Sequence, residues 1–382
     1  MARRWPLARF VESGDLNRLL GRLVALGGSD LHVKVGSRPR VRLNGELVQL
    51  LEEPVVEAAG LDGLLQALMQ KRTWQRFEIQ NEADFAYSVS GLGRFRVNAY
   101  RQRGSIGIVL RHVRPGTQSI TDLRLPDTVR RLAEERRGIV LVSGPTGSGK
   151  TTTLAAMIDH INSTRECHIV TIEDPIEVLH RDRLASISQR EVGFDTESFL
   201  VALRAVLRQD PDVVLVGEMR DAETVATALS AAETGHLVFS TLHTGDSVET
   251  INRIIDLFPP GQQRQARLSL AATLRGTICQ RLVPVVGGQG RVPAVEIMMV
   301  NGRIQQCIVD PERTKDIADI IAEGDYYGMQ TFAQSLVSLL AAGVVDFESA
   351  MEAAPNPHEL RLMLQREGIT QVVLDPLPTV RL

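Results

Sequence analysis

The sequence predicts an α/β protein in two parts: an N-terminal α+β domain on an antiparallel sheet, then a larger parallel-sheet domain that ends in helices. Three observations predict it. Before about residue 115 the apolar positions alternate, as in LHVKV and GRFRVNAY, the pattern of strands with one buried face. From residue 127 the candidate strands are wholly apolar runs, GIVLV, HIVTI, VVLVG and LVFST, which suit a parallel sheet covered on both faces. Past about residue 301 the periodicity is mainly helical.

Taken in order, residues 13 to 26 place Leu16, Leu19, Leu20 and Leu23 on one helical face, and Gly27 and Gly28 stop the helix. PRVRLNGELVQL predicts a hairpin, because Asn44 and Gly45 tolerate the positive φ of a type I′ turn. A second helix is expected around residues 55 to 72, and GRFRVNAYRQRGSIGIVLRHV reads as a strand pair turning near Gly104. The grammar changes near Pro115 and Gly116. We therefore expect a first domain over residues 1–113, a linker over 114–126, a core over 127–300, and a C-terminal helical subdomain and tail over 301–382. Core helices are marked by Leu154, Met157, Ile158 and Ile161, by Phe199, Leu203 and Val206, and by Val225, Ala228 and Ala232, with Gly235 at a C-cap position. In the tail Met329, Phe332, Leu336 and Leu340 share a face, with Gly343 behind them.

Composition excludes several classes. At 382 residues, 43% hydrophobic and 23% charged, the chain can bury a sizeable core and is not disordered as a whole. A net charge of −3 offers no global attraction to nucleic acid. Cys167, Cys279 and Cys307 form no C-x-x-C pair, so neither a disulfide framework nor a zinc knuckle is expected. Arg3, Arg4 and Arg9 have no apolar stretch behind them, and no run of 18 apolar residues occurs. The expectation is a cytoplasmic protein that is neither exported nor membrane-spanning by its own signals.

GPTGSGKT, residues 144 to 151, matches the phosphate-binding loop G-x-x-x-x-G-K-[ST] in full, with a strand before it and an amphipathic helix after it. A chance match in a chain of this length is on the order of 1%. The loop Gly144, Pro145, Thr146, Gly147, Ser148 and Gly149 would wind its N–H groups round a β-phosphate at the positive end of the helix. Lys150 would reach the β- and γ-phosphates, Thr151 would ligate Mg²⁺, and Thr152 would flank the phosphates. The bland alternative is a glycine turn entering a helix.

Hydrolysis also needs a group that orients or deprotonates water. Such loops usually partner a strand that ends in aspartate, yet DVVLVGEMRD has Gly217 there, followed by Glu218. TIEDPIE offers Glu173, Asp174 and Glu177 at the carboxyl end of another strand, the edge where ligands sit in open α/β sheets. Asp174 and Glu177 could equally be a solvated acidic turn. His236 and His243 bracket LVFST, and His243, at its carboxyl end, is the stronger candidate to sense a γ-phosphate. Arg94, Arg96, Arg101, Arg103 and Arg111 crowd one hairpin. Most would be solvated, but an arginine supplied from another domain or subunit can raise phosphoryl-transfer rates about 10³- to 10⁵-fold.

Together GPTGSGKTTTLA, TIEDPIE, LRQDPDVVLVGEMRD and TGHLVFSTLHT resemble the secretion ATPase superfamily of type II secretion and type IV pili, most closely its retraction branch, the twitching-motility ATPases. The likeness runs over about residues 14 to 365. The resemblance implies a PAS-like N-terminal domain, a RecA-like ATPase domain and a homohexameric ring that uses ATP and Mg²⁺. It carries the family acids onto Glu173 and Glu218, the latter supporting Mg²⁺ through water, the histidines onto His236 and His243, and the trans-acting arginines onto Arg96 and Arg111. It leaves open whether Glu173 or Glu218 activates water. The implied function is pilus retraction through an inner-membrane platform protein, at the inner face of the cytoplasmic membrane and with no direct nucleic-acid partner. Alternatives are an assembly or secretion ATPase without the C-x-x-C zinc module of those relatives, an accessory paralogue, a RecA-like nucleic-acid translocase, and a non-hydrolysing scaffold. One departure stands out: GRIQQCIVDPER occupies the place of the retraction branch's AIRNLI-type helix.

Overall fold

The computed structural model describes residues 13–43, 45–113, 116–288 and 290–369. Arg3, Arg4, Arg9, Asn44, Pro115 and the tail from residue 370 lie outside the described residues. The chain divides into two compact units, the first reaching Gly116 and the second running from Thr117, apart from the short segment Pro175–Leu179. Residues 117–126, expected as linker, therefore belong to the second unit.

In the first unit α1 (Ser13–Ala25) buries all four leucines of its predicted stripe, and Gly27 turns the chain out of the helix at φ +66°. β1 (Asp30–Lys34) follows, then β2 (Arg40–Leu43) and β3 (Glu46–Gln49), which pair Leu43 with Glu46 across the expected two-residue turn. Gly45 there has φ +89°. The single helix expected over 55 to 72 is instead two, α2 (Ala58–Leu68) and α3 (Lys71–Gln80). Met69 and Gln70 are extended at ψ 141° and 150°, so that α2 buries Leu61, Leu64 and Leu65 while α3 buries Phe77. β4 (Glu82–Val89) gave little sequence signal because only Phe85 along it is buried. β5 (Gly93–Gln102) and β6 (Ser105–Val113) form the predicted hairpin, turning through Arg103 and Gly104 at positive φ. The antiparallel sheet runs β3-β2-β1-β6-β5-β4.

The second unit opens with α4 (Asp127–Ala133), β7 (Gly138–Ser143), α5 (Lys150–Thr164), β8 (His168–Glu173) and β9 (Ser186–Glu191). Next come α6 (Phe199–Val206), β10 (Val213–Val216), α7 (Ala222–Glu233), β11 (Leu237–Leu242), α8 (Ser247–Asp256) and α9 (Pro260–Thr273). β12 (Leu274–Pro284) and β13 (Arg291–Met299) complete a sheet of order β13-β12-β7-β11-β10-β8-β9, parallel except for β13. Its strands are apolar throughout because both faces are covered. Ile139, Leu141, Val214 and Val216 pack on the side of α7 and α9, whereas Val140, Val142, Val213 and Leu215 pack against α4 and α5. The C-terminal helices are α10 (Gly302–Val309), α11 (Ile317–Ala322), α12 (Phe332–Ala341), α13 (Phe347–Ala353) and α14 (Pro357–Arg366).

The atypical GRIQQCIVDPER keeps a helix. Asn301 caps α10 by accepting from the Ile304 amide, Ile304, Cys307 and Ile308 are buried, and Pro311 opens a 3₁₀ turn. Among the described residues no helix is long and apolar enough to cross a membrane.

Candidate nucleotide site

The phosphate loop joins β7 to α5, and its shape is imposed by close backbone approach. Gly144 has φ +144°, and a Cβ there would lie 2.3 Å from the Gln280 carbonyl oxygen; at Gly149, φ +91°, it would lie 2.7 Å from Gln280 Nε2. Only glycine meets both demands. Pro145, Thr146 and Gly147 form the exposed crest, with Thr152 exposed and Thr151 half-buried in the first turn of α5. Lys150, almost buried, donates Nζ–H bonds to the carbonyls of Gly144 at 2.7 Å and Pro145 at 3.1 Å, folded back over the loop. Ser148 is buried, and its Oγ has no hydrogen-bond partner among the described residues. A buried hydroxyl without a partner is costly. A helix N-terminus, a lysine and an orphaned hydroxyl around a glycine cradle suit a polyphosphate.

Sheet order explains the displaced carboxylates. β10 lies beside β8 with Val216 opposite Ile172, so Glu173 and Glu218 close adjacent strands roughly 5 Å apart. Gly217 packs tightly against β8: a Cβ would sit 3.1 Å from the Ile172 carbonyl oxygen and 3.2 Å from Phe199 Cε1. An aspartate there would have to displace both neighbours. Glu173, 8% exposed, accepts from Thr171 Oγ1 at 2.6 Å and from Gln189 Nε2 at 3.1 Å. Glu218 pairs with an Arg220 guanidinium nitrogen at 2.6 Å and lies 3.8 Å from His243 Nε2. His243 Nδ1 in turn is 3.5 Å from Lys150 Nζ.

This line of groups fixes a tautomer. Lysine can only donate, so His243 Nδ1 accepts and the ring proton sits on Nε2, facing Glu218. Burial and the Lys150 ammonium hold His243 below the ordinary imidazole value against the pull of Glu218, with Arg220 adding to the lowering. The ring is therefore neutral at pH 7.

The other sequence candidates sort themselves by position. Asp174 and Glu177 are exposed beyond the end of β8. His236 stands at the amino end of β11, its Nδ1 donating to the Ala231 carbonyl at 2.9 Å. The six residues of β11 put it about 20 Å from the phosphate loop within the chain. Arg96 and Arg111 are cross-strand neighbours in the first unit. Arg111 Nε donates to Asp30 Oδ1 at 2.7 Å, whereas Arg96 Nε is 4.0 Å from Asp84. Burial alone would push the Asp30 carboxyl up; hydrogen bonds from Ser29 and Arg111 bring it below its ordinary value.

Two residues escaped the sequence reading. Arg220 lay inside a motif read for its acid. Gln280, 2% exposed in the apolar strand LRGTICQRLVP, was the sharper signal, since a buried amide must be hydrogen-bonded. It donates to the Ser148 carbonyl at 2.7 Å and accepts from Thr153 Oγ1 at 2.8 Å, tying β12 to both loop and helix. Gln280→Leu is expected to strand both partners, costing about 2–4 kcal/mol of stability and raising KM for nucleotide. Thermal unfolding and steady-state kinetics check both effects.

With this geometry in place, likeness to known proteins becomes informative. Residues 10–351 match the family described as Type II/IV secretion system protein. The chain is 42% identical over 343 residues to the type IV pilus retraction ATPase PilT of Pseudomonas aeruginosa, covering 90% of this chain and 99% of that one. It is 36% identical over 351 residues to the type IV pilus ATPase PilU of the same organism, covering 92% and 91%. A solved structure of the pilus retraction motor PilT with bound ADP superposes with a TM-score of 0.83 at 44% identity, covering 91% of this chain and 98% of that one. The ATPase DotB of Legionella pneumophila gives 0.80 at 26% identity, covering 94% and 97%. Sharing sequence and fold with these proteins over nearly its whole length, the chain belongs to the Type II/IV secretion system protein family.

Proposed function

We propose that this chain is an ATP-hydrolysing motor that retracts type IV pili, working as a homohexamer at the inner face of the cytoplasmic membrane on an inner-membrane platform protein. The observation that carries the reading is the 42% identity to the retraction ATPase PilT over almost the full length of both chains. The first unit is read as the PAS-like module and the second as the RecA-like core.

The roles follow from the site. The loop amides and Lys150 hold the phosphates, the Ser148 hydroxyl gains the partner it lacks, and the neutral His243 spans Lys150 and Glu218. Thr151 would hold Mg²⁺, with Glu218 supporting it through water, and the ion would supply charge to offset the phosphates. An attacking water passes its proton to Glu218 as its oxygen bonds to the γ-phosphorus and the bond to ADP breaks. Glu173, tied by Thr171 and Gln189, is the rival base. Arg96 and Arg111 of a neighbouring subunit supply charge to the closed state, and hydrolysis releases it.

Deleting the gene is expected to leave pili on the cell surface and abolish twitching, with Lys150→Ala unable to restore it. Loss of surface pili would favour an assembly ATPase instead. Retained twitching would favour an accessory ATPase, a second reading that rests on the departure at GRIQQCIVDPER.

A further inference from the structure

We propose that Arg124 is a specificity-determining residue that holds the base of the bound nucleotide, an inference that rests on the nucleotide reading above. Beside the phosphate loop lies a cavity of about 740 Å³, bordered by Gly149, Thr152, Gln280, Leu282, Asp122 and Arg124. That volume suits a small ligand. The cavity touches the helix side of the loop at Gly149 and Thr152, whereas neither Lys150 nor Glu218 borders it. With the terminal phosphates at Lys150 and Glu218, the cavity takes the nucleoside half.

The backbone at Arg124 supports the assignment independently. Residues 119–123 form a turn in which the Leu123 amide bonds the Ser119 carbonyl at 3.0 Å. The turn closes with the Arg124 amide on Thr121 O at 2.9 Å and the Leu125 amide on Ile120 O at 3.1 Å. These are the paired bonds of a helix-ending motif whose left-handed position normally carries glycine. Arginine stands there at φ +55°. The backbone would be less strained with glycine, so folding does not account for this side chain. The Arg124 side chain makes no hydrogen bond or ion pair among the described residues, and the residue is exposed at the cavity wall. A planar guanidinium stacks on the face of an aromatic base. The Asp122 carboxylate, held by the Ser119 amide at 3.0 Å and hydroxyl at 2.7 Å, borders the same space and can accept from an exocyclic amine.

The test uses the purified full chain and its Arg124→Gly and Arg124→Lys variants, with ATP as substrate and inorganic tripolyphosphate as competitive inhibitor. Arg124→Gly is expected to raise KM for ATP about tenfold with kcat within about twofold. The inhibition constant of tripolyphosphate, which has no base, stays fixed, and the melting temperature is equal or higher. Lysine, lacking the planar group, recovers little of the loss. Three results would overturn the proposal: unchanged KM in Arg124→Gly, equal weakening of ATP and tripolyphosphate, or full recovery by lysine. Wild-type protein that binds neither ATP nor tripolyphosphate would instead overturn the nucleotide reading, and the base assignment with it.

Discussion

Glu218→Gln is expected to bind ATP within a few-fold of the wild type and to hydrolyse it about 10²- to 10³-fold more slowly, the usual contribution of a general base. The exchange preserves shape and removes one negative charge. Binding survives because the loop and Lys150 do not depend on Glu218: Lys150 bonds the carbonyls of Gly144 and Pro145, and the loop is braced by Gln280. Turnover suffers because the glutamine amide cannot accept the water's proton. Arg220 also loses its partner at 2.6 Å, but an ion pair with so exposed an arginine is worth little to stability. Glu173→Gln is the control. Its carboxylate is buried and receives two side-chain hydrogen bonds, an arrangement suited to orientation. Phosphate release and nucleotide affinity measured on both variants decide between them: a larger fall in kcat for Glu173→Gln would move the base to β8.

How much of this was legible in the sequence depends on which physical signal each feature leaves. The apolar strands and the phosphate loop were legible because burial on two faces and tight positive-φ turns restrict residue type strongly. The close packing of Gly217 on β8 was not, since a glycine in sequence does not say whether it is needed for conformation or for space. That Glu173 and Glu218 stand at one edge of the sheet was legible because each follows an apolar strand; that the two strands, β8 and β10, are neighbours is what the structure adds. His243 was already set apart from His236 by its place at the carboxyl end of LVFST, and the parallel pairing of β11 with β7 puts that end, Leu242 opposite Ser143, beside the phosphate loop. The break at Met69 and Gln70 escaped because neither residue is a helix breaker and the turn there is tertiary in origin. Gln280 and Arg124 belong to the same class: their partners lie 132 residues away in one case and in the backbone conformation in the other.

Arg96→Ala is expected to lower kcat about 10³-fold, as removal of a trans-acting arginine does, with little change in melting temperature. Arg96 is the cleaner residue to change. Arg111 supports the buried Asp30 directly across the strand pair at 2.7 Å, so its loss would also destabilise the first sheet, whereas the loose 4.0 Å approach of Arg96 to Asp84 is half exposed on both sides. The stronger test comes from mixing. Lys150→Ala chains and Arg96→Ala chains are each inactive alone, one lacking the phosphate lysine and the other the arginine. If the arginine acts on a neighbour's nucleotide, a random equal mixture assembled into rings restores both groups at about a quarter of the sites, and ATPase activity reappears. If it acts within its own chain, every site in the mixture retains one defect and no activity returns. A ring that recovers turnover would therefore locate the arginine between subunits and make assembly a condition of catalysis. The fold would then couple force to chemistry in the simplest way available, because no subunit could complete its own site.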